Sequence, residues 1–104
     1  MLPKKKRLTK EDFKKTRAQV FFRGNVLDVA RSQSQEQKFA CVISKKKIAT
    51  AVGRNSIKRK VYHALKQVPP HLQGVFIIYP KSIPKNTPFS SISDEIIRAF
   101  ATLQ

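Results

Sequence analysis

Between Gln37 and Ser93 the chain carries eleven Lys or Arg and not one Asp or Glu. Whatever fold this stretch adopts, no carboxylate within it can neutralise its charge. An unpaired cation is costly to bury, so the cationic parts of this stretch are poor material for a core and cannot neutralise themselves with local ion pairs. The charge is densest from Val42 to Tyr62, VISKKKIATAVGRNSIKRKVY, where seven of the twenty-one residues are Lys or Arg. The apolar run that starts at Phe39 leads into this stretch, and an apolar stripe at helical spacing leads out. The pattern reads as a strand, a basic turn and a basic helix.

The rest of the composition bears on what such a surface is for. The 104 residues read as a single domain spanning 1–104, with 40% apolar residues. A domain of this size buries about two thirds of its unfolded surface, enough for one core. Twenty-two Lys and Arg face six Asp and Glu, for a formal charge of +16. Such an excess repels itself and points to a polyanionic partner. A membrane surface would call for exposed large apolar residues on an amphipathic helix, or for a lipidation signal, and the sequence reads as neither. No apolar run approaches the ~20 residues that span a bilayer. The start, MLPKKKR, has charge with no apolar region after it, unlike a signal peptide. The single Cys41 sits in an apolar run and reads as a buried small hydrophobe. One cysteine forms no internal disulfide and no cysteine-cluster metal site. The expected location is cytoplasmic.

In chain order, residues 1–7 are a basic arm. A first helix is expected from Thr9 to about Thr16 or Arg17. Thr9 is its cap, Asp12 the capping-box partner, and Leu8 with Phe13 the hydrophobic staple. Gln19–Arg23 and Asn25–Arg31 read as strands separated at Gly24-Asn25. SQSQEQ at 32–37 is a polar turn. Lys38–Ser44 is expected as a central strand, joined to the preceding one in an antiparallel hairpin. The basic helix should be capped by Thr50, bury Ile57, Val61, Ala64, Leu65 and Val68, and end at Pro69-Pro70. Asn55, Lys58, Arg59 and Tyr62 fall at i, i+3, i+4 and i+7 and share a neighbouring face. Arg54 lies at the apolar edge, where a long side chain snorkels outward, and Lys60 lies apart as a solvated charge. Gly74–Tyr79 reads as a further core strand, and Pro80, Pro84 and Pro88 stiffen the loop after it. A last helix from Ser90 or Ser91 presents Ile92, Ile96, Ala99, Phe100 and Leu103. The fold expected is α+β: a single-domain α-β sandwich of order α-β-β-β-α-β-α, its helices against one mostly antiparallel sheet.

The titratable residues offer no active site. Glu11 with Asp12, and Asp94 with Glu95, are adjacent pairs at helix starts, where capping and the helix dipole account for them. His63 and His71 lie eight apart across a double proline, which is not a metal spacing. Gly24, Gly53 and Gly74 form no glycine-rich phosphate loop. No catalytic residue and no metal ligand is therefore assigned. What the chain does offer is phosphate chemistry. Lys45, Lys46 and Lys47 follow a strand, and Arg54, Lys58 and Arg59 lie on or beside one helix face. Arg grips phosphate through two donors, and Lys acts as a point charge. Asn55 can bond a base, a ribose hydroxyl or another side chain. Phe13, Phe21, Phe22 and Tyr79 are candidates for stacking unpaired bases, although most Phe residues are needed in the core.

These residues resemble a known family. Ser44-Lys45-Lys46, then Ala51-Val52-Gly53-Arg54-Asn55-Ser56-Ile57-Lys58-Arg59-Lys60, looks like the signature of the bacterial ribonuclease P protein subunit. The opening Leu2 to Phe13, LPKKKRLTKEDF, is similar to that family's start. The chain departs from the pattern at Ser56, in place of the second Arg of an Arg-Asn-Arg triplet. It departs again at Tyr62-His63, in place of Arg-Glu, and at Arg17, in place of a second aromatic. The resemblance implies a subunit of an endoribonuclease that removes the 5′ leader of precursor tRNA. The catalytic RNA would perform the hydrolysis with Mg2+, and the protein would bind no cofactor of its own. The implied partners are the catalytic RNA, at one protein per RNA, and precursor tRNA. Arg54, Asn55, Lys58 and Arg59 would face the catalytic RNA. Phe13, Arg17, Phe21 and Phe22 would lie at a leader cleft between the first helix and the sheet.

Two other classes compete. A structural RNA-binding protein, such as a small ribosomal protein, shares the composition. A nuclease with its own active site would lose cleavage by the protein alone on Asp or Glu to Ala changes. A charge-driven RNA interface makes its own demand: each phosphate neutralised contributes about 0.7–0.9 to the log–log slope of affinity against salt. Binding of RNA across a salt series should therefore be steeply salt-dependent, and a nearly flat curve would reject the interface.

Overall fold

The computed structural model describes residues 17–103 apart from 45, 49, 70, 82, 84 and 85. The basic arm, the expected first helix as far as residue 16, Phe13, Lys45, Pro70 and Pro84 lie outside the described residues. The described elements are β1 (Gln19–Arg23), β2 (Leu27–Ser32), β3 (Gln37–Cys41), α1 (Ala51–Leu65), β4 (Gly74–Pro80) and α2 (Phe89–Ala101). Their order, β-β-β-α-β-α, is that expected from the sequence after its first helix.

The four strands form one sheet in the order β1-β2-β4-β3. β1 pairs with β2 and β2 with β4, both antiparallel, while β3 pairs with β4 in parallel. This corrects two expectations. β3 is an edge strand, and the polar turn after β2 does not close a hairpin. It carries the chain past the place that β4 later fills. The reason lies in composition. GVFIIYP is apolar on both faces and has six of its seven residues buried, so it occupies the centre. QKFAC begins with Gln37 and with Lys38, whose ammonium lies 3.5 Å from Glu36, and it tolerates an edge.

The pairings sort the side chains into two faces. Leu27, Val29, Phe39, Cys41, Phe76 and Ile78 point to the side covered by α1 and α2, and they pack with Ile57, Val61, Leu65, Ile92, Ile96 and Phe100. Ala30, Val75 and Ile77 are buried on the other side, with Ala18, Ala40 and Tyr79 packed around them. Four phenylalanines from four elements meet in the main core. Phe39 stacks on Phe76 at 5.8 Å, Phe100 meets Phe76 edge-on at 4.8 Å, and Phe21 lies edge-on to Phe76 at 6.4 Å. Strand alternation would put Phe21 and Phe22 on opposite faces. The β1–β2 register shifts between Val20 and Phe22, and this bulge lets both rings pack against the same core.

Thr50 caps α1 as expected, its Oγ1 accepting from the Gly53 N–H at 3.0 Å. α2 begins at Phe89 without a side-chain cap, and the role expected for its acids is corrected. Asp94 is exposed on the helix surface, but Glu95 is only 7% exposed and serves the sheet. Its carboxylate accepts from the backbone N–H groups of Asn25 at 3.0 Å, Val26 at 3.1 Å and Leu27 at 3.3 Å. The turn between β1 and β2 is thereby tied to the helical layer. A Cβ on Gly24 would overlap Glu95 Oε1 and lie 2.9 Å from the Phe22 ring, so only glycine fits there.

Glu95→Ala would leave buried N–H groups without acceptors and should cost about 3 kcal/mol in chemical denaturation. Gly24→Ala, which overpacks the same site, should cost about 2 kcal/mol. Wild-type stability in both variants would show that the carboxylate does not hold the turn.

Candidate nucleic-acid interface

The basic turn stands on a buried anchor. Ser44 turns the chain after β3: its Oγ accepts from the Lys46 N–H at 3.0 Å, and its carbonyl accepts from Lys47 and Ile48 N–H at 3.1 Å. Ile48, 7% exposed, plugs into the main core. Lys46 and Lys47 stay exposed between these fixed points. Arg54, expected to snorkel outward, is half-buried and bends back, its Nη1 donating to the Ile48 carbonyl at 2.9 Å. With no acid in reach along this stretch, a backbone oxygen is the acceptor that remains. The guanidinium has five donors, and this bond fixes its place.

Beyond that clamp, α1 divides into faces as the spacing implies. Gly53, Ile57, Val61, Ala64 and Leu65 are buried. Asn55 and Arg59 are exposed, while Lys58 and Tyr62 are half-buried, with Tyr62 packed against the core. Lys58 lies near Cys41. Burial pushes the Cys41 thiol up to about 12, and the nearby Lys58 charge offsets only part of that shift. The thiol therefore stays protonated at neutral pH and behaves as the small hydrophobe read from the sequence. Lys60 is not a solvated charge: half-buried, it donates from Nζ to the Thr87 carbonyl at 2.7 Å and pins the segment before α2. Val52, Asn55, Ser56, Arg59 and Lys60 line an open groove of about 350 Å³. Val52 in that groove is 68% exposed.

The structure thus gathers Lys46, Lys47, Arg54, Asn55, Lys58 and Arg59 around the first half of α1 and the turn before it. Lys45 lies outside the described residues. The aromatic candidates are divided. Phe21 and Phe22 are half-buried against the helical core, Arg17 is exposed, and Tyr79 is half-buried on the opposite sheet face. Asp28 on that opposite face has Lys81 Nζ 3.5 Å from its Oδ1. The carbonyl acceptors of Arg54 and Lys60, and the solvent position of Val52, had no signal in the sequence, because they depend on where the loops fold back. Among the described residues no three or more His, Cys, Asp or Glu are grouped as metal ligands, and no helix is long and apolar enough to cross a membrane.

Comparison with known proteins places this surface in context. The model of a family described as Ribonuclease P matches residues 2–104. Three solved structures of Staphylococcus aureus RNase P protein share the fold. A variant with defective mRNA degradation activity has 20% identity and a TM-score of 0.79, covering 96% of this chain and 89% of that one. A second, without that description, has 20% identity and a TM-score of 0.73, covering 95% of each chain. A third has 21% identity and a TM-score of 0.68, covering 98% of this chain and 92% of that one. No curated protein matches the chain at a significant level.

The two arginines should separate in stability. Arg54→Ala removes a charge-assisted bond to Ile48 and should cost about 1.5 kcal/mol in chemical denaturation. Arg59→Ala, at an exposed position, should stay within about 0.5 kcal/mol of wild type. Equal losses would mean that Arg54 does not brace the turn.

Proposed function

The chain belongs to the ribonuclease P protein family, and from that premise we propose that its basic turn and α1 bind the catalytic RNA while the sheet receives the 5′ leader of precursor tRNA. As a family member it is a subunit of ribonuclease P, a tRNA-processing endoribonuclease, and it works with the RNase P RNA. The RNA is proposed to carry the phosphodiester hydrolysis, with magnesium as the RNA's own ion. The protein contributes placed positive charge.

The observation that carries this reading is the arrangement around α1. Lys46, Lys47, Asn55 and Arg59 are exposed, Lys58 is half-buried beside them, and the helix contains no acid. Phosphates approaching this side meet cations and the positive end of a capped helix together. Rigidity adds to the charge. The Ile48 plug, the Thr50 cap and the Arg54 clamp hold the turn before RNA arrives, which lowers the ordering cost of binding. The leader is proposed to run along the sheet face away from α1 and α2. Tyr79 is the described aromatic on that face, and Arg23 and Lys81 supply cations near it. Phe21 and Phe22, half-buried against the core on the other face, are given no leader contact in this reading.

The test is precursor-tRNA cleavage at limiting magnesium, using the organism's catalytic RNA with and without the protein. Stimulation with the RNA present, together with no cleavage by protein alone, is the expected result. Arg59→Ala should weaken catalytic-RNA binding by roughly 1–3 kcal/mol. Tight RNA binding without stimulation would make the chain a structural RNA-binding protein instead.

A further inference from the structure

The flank of α1 that faces the start of α2 continues from the groove lined by Val52, Ser56 and Lys60. Val52, Ser56, Lys60 and His63 follow one another along it at i, i+4, i+8 and i+11. Two hydrogen bonds fasten this flank and the turn after it to α2 and the segment before it. Lys60 Nζ donates to the Thr87 carbonyl at 2.7 Å, and Gln67 Nε2 donates to Ser93 Oγ at 2.9 Å. Between those two bonds lie the rings of His63 and Phe89, both exposed, with centroids 5.0 Å apart and planes at 70°. Every other described phenylalanine is buried or half-buried in the core, and Phe89 alone is exposed. Phe89 opens α2 three residues before Ile92, at the outer end of the apolar stripe that Ile92, Ile96 and Phe100 continue, and it is not among the buried residues of that helix. Core packing therefore leaves part of its ring exposed.

We propose that the edge-to-face His63–Phe89 pair is a platform that holds one unpaired nucleotide of the RNA partner, its base stacked on one ring while the other ring braces the first, and that the backbone continues along the groove to Arg59. This rests on the reading of the protein as an RNA-binding subunit. Three features select RNA over a protein partner. The α1 sequence carries no acid, the neighbouring groove is lined by Arg59 and Lys60, and the chain as a whole carries +16, so a second copy would bring like charge. An edge-to-face pair fixed between two hydrogen bonds loses little freedom when a base covers it. Stacking reads the π-face that every base has, so the platform orders a nucleotide without choosing its identity.

The test compares catalytic-RNA binding by Phe89→Leu, His63→Ala and Arg59→Ala across a salt series. Removing a stacking ring should weaken binding about tenfold. Phe89→Leu should leave the log–log salt slope at its wild-type value, whereas Arg59→Ala should lower it by about 0.7–0.9. A photoreactive phenylalanine analogue at position 89 should crosslink to an unpaired nucleotide. Wild-type affinity in Phe89→Leu and His63→Ala, with Arg59→Ala weakened, would overturn the platform and leave the functional reading intact. A flattened slope in Phe89→Leu would also overturn it, because the lost contact would then be ionic. Wild-type affinity in all three variants would overturn both. His63 is exposed, so its variant keeps the test decisive if Phe89→Leu perturbs α2.

Discussion

The carboxylate of Glu95 joins the two layers of this protein. It projects from α2 and takes backbone hydrogen bonds from Asn25, Val26 and Leu27, where β1 turns into β2. A buried carboxylate is expensive unless its lone pairs are occupied, and here several amides occupy them. Much else follows from that contact. It sets how α2 lies over the sheet, and so where Phe100 meets Phe76 and Phe39. It requires glycine at position 24. It also brings the start of α2 beside α1, where Lys60, His63 and Gln67 find Thr87, Phe89 and Ser93.

The scarcity of acids shapes the rest of the polar structure. Arg31 donates to the Gln73 carbonyl at 2.7 Å and lies over the Phe76 ring at 5.5 Å, Arg54 holds Ile48, and Lys60 holds Thr87. Each of these cations is positioned by a backbone oxygen. A carbonyl orients a cation without cancelling its charge, so the positive field at the surface survives. Gly74 belongs to the same economy. Its φ of +134° suits glycine, and a Cβ there would lie 3.0 Å from Arg31 Nε and from the Ser32 carbonyl. The charge read along the sequence as one excess is thus distributed as a set of fixed positions.

The site was legible in part for the same reason. The cluster of Lys46, Lys47, Asn55, Lys58 and Arg59 follows from a turn leading into one capped helix, and helical periodicity places such residues without tertiary information. Arg54 and Lys60 were misplaced because periodicity says which way a side chain leaves its helix, not which loop comes to meet it. Phe21 and Phe22 were ambiguous because a bulge breaks the alternation on which strand reading depends. The His63–Phe89 pair joins two helices distant in sequence, and no local pattern announces it.

By itself the sequence determined the positions of β1, β2 and β4, the capped basic helix with its apolar stripe, the final helix, the burial of Cys41 and the cationic character of one surface. All of these rest on local signals: hydrophobic period, capping residues, turn residues and charge density. Tertiary structure alone decided the strand order, the parallel pairing of β3 with β4, and the use of Glu95 by a turn some seventy residues away. Strand order is a competition for the most buried place. It is settled by which strand is apolar on both faces and by what can cover it, and β4, arriving after α1, takes that place. A buried acid accepts whatever donors the folded chain brings to it, and their identity exists only once the layers have met.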